Sequence, residues 1–350
     1  MGFIKLADSP DARIMIRAAN WVGDAIMTTP VVRAVRKNFP EARITVLAKP
    51  WVIPVYEHNP YIDSVMVYEN TGRHKMGLGT LRLAGDLRQH RFDLGVLMQN
   101  AFEAALISFL GGVRERLGYN TDARGFLLNR AVKLDPALKK GHLIDYYISI
   151  LKKAGLDDDG RHLDLFISHS DRDYADDFLK NEKITSPVIG INPGATGGTA
   201  KQWFPERYAA LAAGLSEKYG TRVLVFGGPK DRELGSKITG EAGKGSCINI
   251  AGMTTLGQAF AMIERCSLFV TNDSGLMHAA AALNIPQAAV IGSTDHVATS
   301  PVGTNSVIVR KPVPCSPCLK DVCPTDHRCM DLVSVDMVME TCDRLLNCGT

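Results

Sequence analysis

Residues 269–294, FVTNDSGLMHAAAALNIPQAAVIGST, constrain the fold more tightly than any other stretch of this chain. An apolar run (Leu268, Phe269, Val270) enters a polar turn, then an alanine-rich segment that stops at Pro286. A second apolar run over residues 288–291 ends in Gly-Ser-Thr. Period and breakers read as strand, tight turn, short helix, strand. Asp273 or Ser274 can cap the helix, and Gly275 lets its first turn come close to a ligand. Free N–H groups and the positive end of the helix dipole then point out of the turn, which suits a phosphate. His278 follows close behind and faces the same ligand. An ordinary capped helix explains any one of these residues; the unbroken string Asn-Asp-Ser-Gly-Leu-Met-His at a strand end favours a ligand site.

Strand-like runs alternate with helical patterns on either side of this stretch. In the first half, residues 13–19, 43–48, 64–68 and 92–98 read as strands. Helical patterns cover 24–39, 78–90, 101–110 and 142–154, and a last segment at 172–180 closes that half. The pattern restarts with strands at 188–192, 222–226 and 248–250 and helices at 205–219, 231–242 and 256–266. Such alternation builds βαβ units and parallel sheets. With 350 residues the chain suits two domains of ordinary size. The expected class is α/β, with two Rossmann-like, doubly wound parallel-sheet domains facing each other across a cleft. The expected divisions are 1–182, 183–332 and a closing helix at 333–350. Ligands then belong at the carboxyl ends of the strands. No Gly-x-Gly-x-x-Gly follows the first strand, where Gly23 stands alone, so a nicotinamide cofactor is disfavoured.

A hydrophobic content of 45% and a charged content of 22% are those of a soluble globular protein. The net charge of +3 fits an anionic substrate or membrane surface. No arginine-rich run interleaved with aromatics supports nucleic-acid binding. The first residues, MGFIKLADSPDARIMIR, lack the apolar core of a signal peptide, and Leu6 stands where myristoylation wants Ser or Thr. Residues 94–113 are apolar but interrupted by Gln99, Asn100 and Glu103, which reads as a buried strand and helix rather than a membrane span. A cytoplasmic protein is expected, its eight cysteines mostly reduced.

Four groups could carry chemistry. The first strand ends in Asn20-Trp21-Val22-Gly23-Asp24. There Asp24 is either a helix N-cap or a general base for an acceptor hydroxyl. The second half opens with Asn192-Pro193-Gly194-Ala195-Thr196-Gly197-Gly198-Thr199-Ala200-Lys201, a small-residue turn whose Lys201 can meet a phosphate, although it is no Walker loop. Asp231 and Glu233 follow a third strand end, where an acid can hold a ribose or simply open a helix. Cys315, Cys318, Cys323 and Cys329 lie within fifteen residues of one another, a spacing that raises a structural metal beside ordinary thiols. Cys247 and Cys266 read as core residues, and Cys342 and Cys348 fall on or beyond the last helix.

Together, residues 20–30 (NWVGDAIMTTP), Lys201-x-Trp203, residues 271–278 (TNDSGLMH) and the cysteine cluster resemble glycosyltransferase family nine over nearly the whole chain. Within it they look most like the ADP-heptose:lipopolysaccharide heptosyltransferases of the second type. The resemblance implies a GT-B fold, an acceptor-binding first domain and an ADP-heptose-binding second domain, with the last helix crossing back. It makes Asp24 the base of an inverting transfer and sets Asn20, Trp21 and Gly23 beside the acceptor. Lys201, Asp273, Ser274, Gly275 and His278 become donor-site residues, with Thr196 and Glu233 as weaker members. No cofactor is required by that resemblance. The partners it implies are ADP-L-glycero-β-D-manno-heptose, a lipopolysaccharide core acceptor (lipid A–Kdo bearing heptose) and the cytoplasmic face of the inner membrane. Another GT-B nucleotide-sugar transferase, a heptosyltransferase of type I or III, and a non-catalytic sugar-nucleotide-binding protein are the alternatives.

Overall fold

The computed structural model describes residues 11–185 and 187–347. The expectations for the first ten residues and for Cys348 therefore lie outside the described residues. The chain divides into two compact units between Phe166 and Ile167.

In the first unit six parallel strands form one sheet: β1 (Arg13–Arg17), β2 (Arg43–Ala48), β3 (Ser64–Val67), β4 (Leu94–Leu97), β5 (Glu115–Tyr119) and β6 (Arg130–Val132). Their order is β3-β2-β1-β4-β5-β6. The helices are α1 (Val22–Met27), α2 (Thr29–Asn38), α3 (Leu78–His90), α4 (Phe102–Leu110) and α5 (Leu143–Lys153). β1 is buried on both faces, with Ile14, Met15 and Ile16 all inaccessible, so it reads as a continuous apolar run rather than an alternating one.

Two features differ from the sequence reading. The helix expected over 24–39 is two helices that meet at Thr28, whose hydroxyl donates to the Ala25 carbonyl at 2.7 Å. Pro30 sits in the first turn of α2, where it needs no N–H partner. Strands β5 and β6 were not expected, because their apolar content is diluted by Glu115, Arg116 and Arg130. At this sheet edge the charges pair instead: Arg130 grips Glu115 through two hydrogen bonds of 2.9 Å.

The second unit repeats the plan with β7 (Ile189–Asn192), β8 (Val223–Val225), β9 (Cys247–Asn249), β10 (Leu268–Asn272), β11 (Gln287–Val290) and β12 (Ser306–Val309). All pair in parallel, in the order β12-β11-β10-β7-β8-β9. Its helices are α6 (His169–Asn181), α7 (Pro205–Tyr219), α8 (Arg232–Glu241), α9 (Leu256–Glu264), α10 (Gly275–Ala282), α11 (Arg328–Asp331) and α12 (Val335–Asn347). Helix α6, which the sequence attached to the first half, is tied to α9 here. Arg172 holds Glu264 bidentately at 2.8 Å, and Arg265 holds Asp176. The apolar face of α12 is accounted for within this unit, where Val338 and Cys342 join the core around Trp203 and Tyr208. Asp343 fastens α12 to Lys218 and Tyr219 of α7 at 2.7 Å each.

Each sheet has one place where the strand order reverses, between β1 and β4 in the first unit and between β7 and β10 in the second. At such a switch point neighbouring loops part and leave a crevice at the carboxyl edge. The turns at residues 20–24 and 273–275 emerge at these two places.

Candidate functional site

In the second unit the switch point is filled by side chains that satisfy one another. Asn272, wholly buried, accepts from the Trp203 backbone N–H and the Tyr208 hydroxyl at 3.1 Å each and donates to the Pro193 carbonyl at 2.7 Å. Asn192, at the end of β7, donates to the Ser274 hydroxyl at 2.9 Å, and Thr271 shares that hydroxyl at 3.1 Å. Ser274 is the N-cap of α10, accepting from the Met277 N–H at 3.3 Å. Of the two caps the sequence allowed, Ser274 takes the role, so the Asp273 carboxylate is left for other work. It accepts from the Thr299 hydroxyl at 3.1 Å and stands 3.9 Å from the Lys201 ammonium. Asp273 and His278 are buried, and Gly275 is half-buried at the first helical position.

The loop that carries Lys201 is braced from behind. Gly198 has φ +109°, and a Cβ there would fall 2.0 Å from the Asp321 carbonyl, so only glycine lets the two backbones approach. That carbonyl accepts from the Ala200 N–H at 3.0 Å, while His327 Nε2 lies 3.0 Å from the Ala200 carbonyl. Thr196 and Glu233 are exposed and contribute no hydrogen bond to the Asn192–Asn272–Ser274 network. Asn192, Asn272 and Thr299 were missed by the sequence reading, although Asn272 belongs to the string that opened it.

In the first unit the turn after β1 is stiffened by Arg17. Its guanidinium, 1% exposed, donates to the Ala18 carbonyl at 2.6 Å and to Asn20 Oδ1 at 2.9 Å. Trp21, not Asp24, occupies the N-cap of α1, and Asp24 lies in the first turn. The N-cap alternative for Asp24 therefore falls away. The Tyr147 hydroxyl, from α5, reaches Asp24 Oδ1 at 3.5 Å. Burial and then the Asp24 charge push the Tyr147 phenol well above its ordinary value, so it stays protonated and donates to the carboxylate. Gly23 and Asn20 are half-buried beside it and Trp21 is exposed.

Residues 80–328 match glycosyltransferase family 9 (heptosyltransferase). The chain belongs to that family. It is a glycosyltransferase, and its pair of parallel-sheet units is the GT-B type. It is 32% identical over 311 residues to lipopolysaccharide heptosyltransferase 2 of Escherichia coli (strain K12), covering 85% of this chain and 88% of that protein. The lipooligosaccharide heptosyltransferase 2 of Haemophilus influenzae is also 32% identical, over 309 residues with the same coverage. Among solved structures, the ADP-heptose lps heptosyltransferase II of E. coli superposes with a TM-score of 0.80 at 28% identity, covering 96% of this chain and 99% of that one.

This family member carries a further feature, the cysteine loop. Cys315, Cys318, Cys323 and Cys329 all line one cavity of about 230 Å³, together with Ser293 and His327. Hydrogen bonds from Thr325 pull the Cys323 thiol below its ordinary pKa, whereas burial and the three neighbouring cysteines push Cys329 up. The donors suit a soft ion. Their spacing does not: among the described residues no three His, Cys, Asp or Glu side chains are gathered closely enough to share one metal. Of the two cysteines expected in the core, Cys266 is buried and Cys247 is half-buried; Cys342 lies on the last helix, as expected, and is buried there. Among the described residues no helix is long and apolar enough to cross a membrane.

Proposed function

We propose that this glycosyltransferase moves a heptose from ADP-L-glycero-β-D-manno-heptose to a hydroxyl of the lipopolysaccharide inner core, with inversion at the anomeric carbon. The observation that carries the reading is the cradle after β10. It combines the N-terminus of α10, capped by Ser274, with a Lys201 ammonium poised against Asp273. That combination suits a diphosphate. The names of the relatives supply the sugar and the acceptor class.

In this reading Lys201 and the free N–H groups of α10 stabilise the charge that grows on ADP as the glycosidic bond breaks. Asp273 acts by holding Lys201 and Thr299 in place. His278 and Gly275 line the same turn, with Thr196 and Glu233 as outer contacts. The acceptor hydroxyl attacks the anomeric carbon and its proton passes to Asp24, whose carboxylate is oriented by Tyr147. Asn20, Trp21 and Gly23 shape the acceptor side. The donor site asks for no metal, because Lys201 and α10 already face the diphosphate with positive charge. The acceptor is a lipid, so the reaction belongs at the cytoplasmic membrane face.

The cysteine cavity takes no step in the transfer. Its four thiols become a structural metal site only if residues 313–329 close further around an ion. About one zinc or iron per chain in anaerobically purified protein would demonstrate that closure, and metal-free protein would leave them as thiols. The transfer itself is tested by incubating the protein with ADP-heptose and a panel of truncated core acceptors and reading the products by mass spectrometry. A mass gain of one heptose on an acceptor that already bears the first heptose is expected. Absence of transfer to every acceptor would defeat the reading.

A further inference from the structure

The carboxyl edge of the first sheet holds a second cluster that the transfer chemistry leaves unused. Lys49 follows β2 directly, and its ammonium lies 5.2 Å from the centre of the Trp51 ring and 5.9 Å from that of Tyr68. Among the described residues no carboxylate stands within ion-pairing distance of it. The Arg17 guanidinium also lies over the Tyr68 ring, at 5.2 Å, and its buried Nε has no hydrogen-bond partner. Glu103 is the carboxylate whose charge reaches both cations, yet one of its oxygens already accepts from the Tyr68 hydroxyl. Two cations thus share the charge of one engaged carboxylate, and Lys49 has no ion-pair partner of its own among the described residues. Burial and then Arg17 draw the Lys49 pKa below its ordinary value, the mark of an ammonium held where an anion would relieve it.

Aromatic faces border this charge. Trp51 is 43% exposed, and its indole N–H is fixed on the Asn20 carbonyl at 2.7 Å. Trp21, 60% exposed, lies one residue beyond Asn20. Trp203, the remaining tryptophan, is buried in the core of the other unit. A rigid indole face receives the C–H face of a sugar ring, and a half-desolvated ammonium beside it receives an anion.

We infer that Lys49 and Trp51, seated on the buried Tyr68 ring, form a subsite for an acidic sugar unit of the acceptor, next to the turn that presents Asp24. This rests on the assignment of the first unit to the acceptor. Trp51 stacks on the ring, Lys49 pairs with its carboxylate or phosphate, and Arg17 holds both Asn20 and the underside of Tyr68. The subsite makes the enzyme select an acceptor by a charged neighbour of the reacting sugar.

Tryptophan fluorescence of the full chain reads binding without catalysis. The probes are 3-deoxy-octulosonate (Kdo), its uncharged methyl ester, mannose 6-phosphate and mannose. The acids should quench at concentrations about tenfold or more below those needed for the ester and mannose, and whichever acid binds more tightly identifies carboxylate or phosphate. Lys49→Ala should weaken the acids by about tenfold or more, and Lys49→Arg should recover much of the loss. In transfer assays with a deacylated core acceptor, Lys49→Ala should raise the acceptor KM by a similar factor, with kcat and the donor KM held. Equal binding of acid and ester, or a Lys49→Ala protein that binds the acids like the wild type, would overturn the subsite. Lys49-dependent binding of an acid without heptose transfer would instead strike the proposed reaction and leave the subsite standing.

Discussion

The two sheets present opposite kinds of carboxyl edge. After β7 and β10 the polar side chains close on one another: Asn192, Thr271, Asn272 and Ser274 share a continuous set of hydrogen bonds. After β1 and β2 the Lys49 ammonium rests on aromatic rings rather than on a carboxylate, and two tryptophans face solvent. A closed network costs nothing to reorganise when ligand arrives, which suits a site whose task is to meet charge as it develops. An edge left with spare charge gains from the ligand itself and so discriminates among ligands. On the proposed function, the same fold supplies a pre-set cradle in one copy and a selective surface in the other.

The sharpest break of this contrast is Asp24→Asn. If Asp24 is the base, kcat should fall by ~10²–10⁴-fold while ADP affinity, which the proposed function assigns to the other unit, stays put. A folded variant that binds ADP and keeps more than about a tenth of the rate would remove Asp24 from that role.

Asn272→Ala tests whether the second edge is as closed as it looks. It strips partners from the Trp203 N–H, the Tyr208 hydroxyl and the Pro193 carbonyl, all buried, and should cost about 2–4 kcal/mol. In a unit of this size that lowers Tm by roughly 5–15 °C. A calorimetric Tm within 2 or so degrees of wild type, about 1 kcal/mol at most, would show that water replaces the side chain freely.

Lys201→Ala probes the cradle without opening its network. Calorimetry should find ADP-heptose binding weaker by about 1.5–3 kcal/mol, with acceptor binding little changed. Unchanged donor affinity would exclude Lys201 from the diphosphate.

The smallest effect separates a strut from a site. Glu264 is held below the usual carboxylate range, first by its hydrogen bonds from Arg172. A depressed folded-state pKa gives stability that is present above the unfolded value, about 4.3, and lost as pH falls through the folded value. Both partners are partly open to water, so Glu264→Gln should cost only about 1 kcal/mol at pH 7. The gap between variant and wild type should close in acid. A gap that persists at pH 3 would assign the loss to packing of α6 rather than to the ion pair.

Much of this was legible in residue order alone. The string at residues 269–294 specifies β10, the capped turn, α10 and β11, because apolar period, a small capping residue and Pro286 are local signals. The division of residues 24–39 into two helices was not, since it depends on the Thr28 hydroxyl returning to Ala25 and on Tyr56 meeting Thr28 from another element. Strands β5 and β6 escaped for a related reason: the edge strand β6 and its neighbour β5 are held by backbone pairing and by charge partners such as Arg130 and Glu115, and leave little apolar pattern to read.

Sequence by itself therefore determined the α/β class, the two repeats and the chemical types at each strand end. Those depend on periods and breakers within a dozen residues. Tertiary structure alone decided that Ser274 rather than Asp273 caps α10, that Trp21 rather than Asp24 starts α1, and that Lys49 stands near Arg17 and Glu103. It also decided that the four clustered cysteines share a cavity without converging on a point. The placing of Lys49 turns on distances between residues far apart in the chain, which parallel strand pairing fixes and local order cannot express; the caps and the cysteine loop turn on backbone directions that the surrounding fold selects among neighbouring residues.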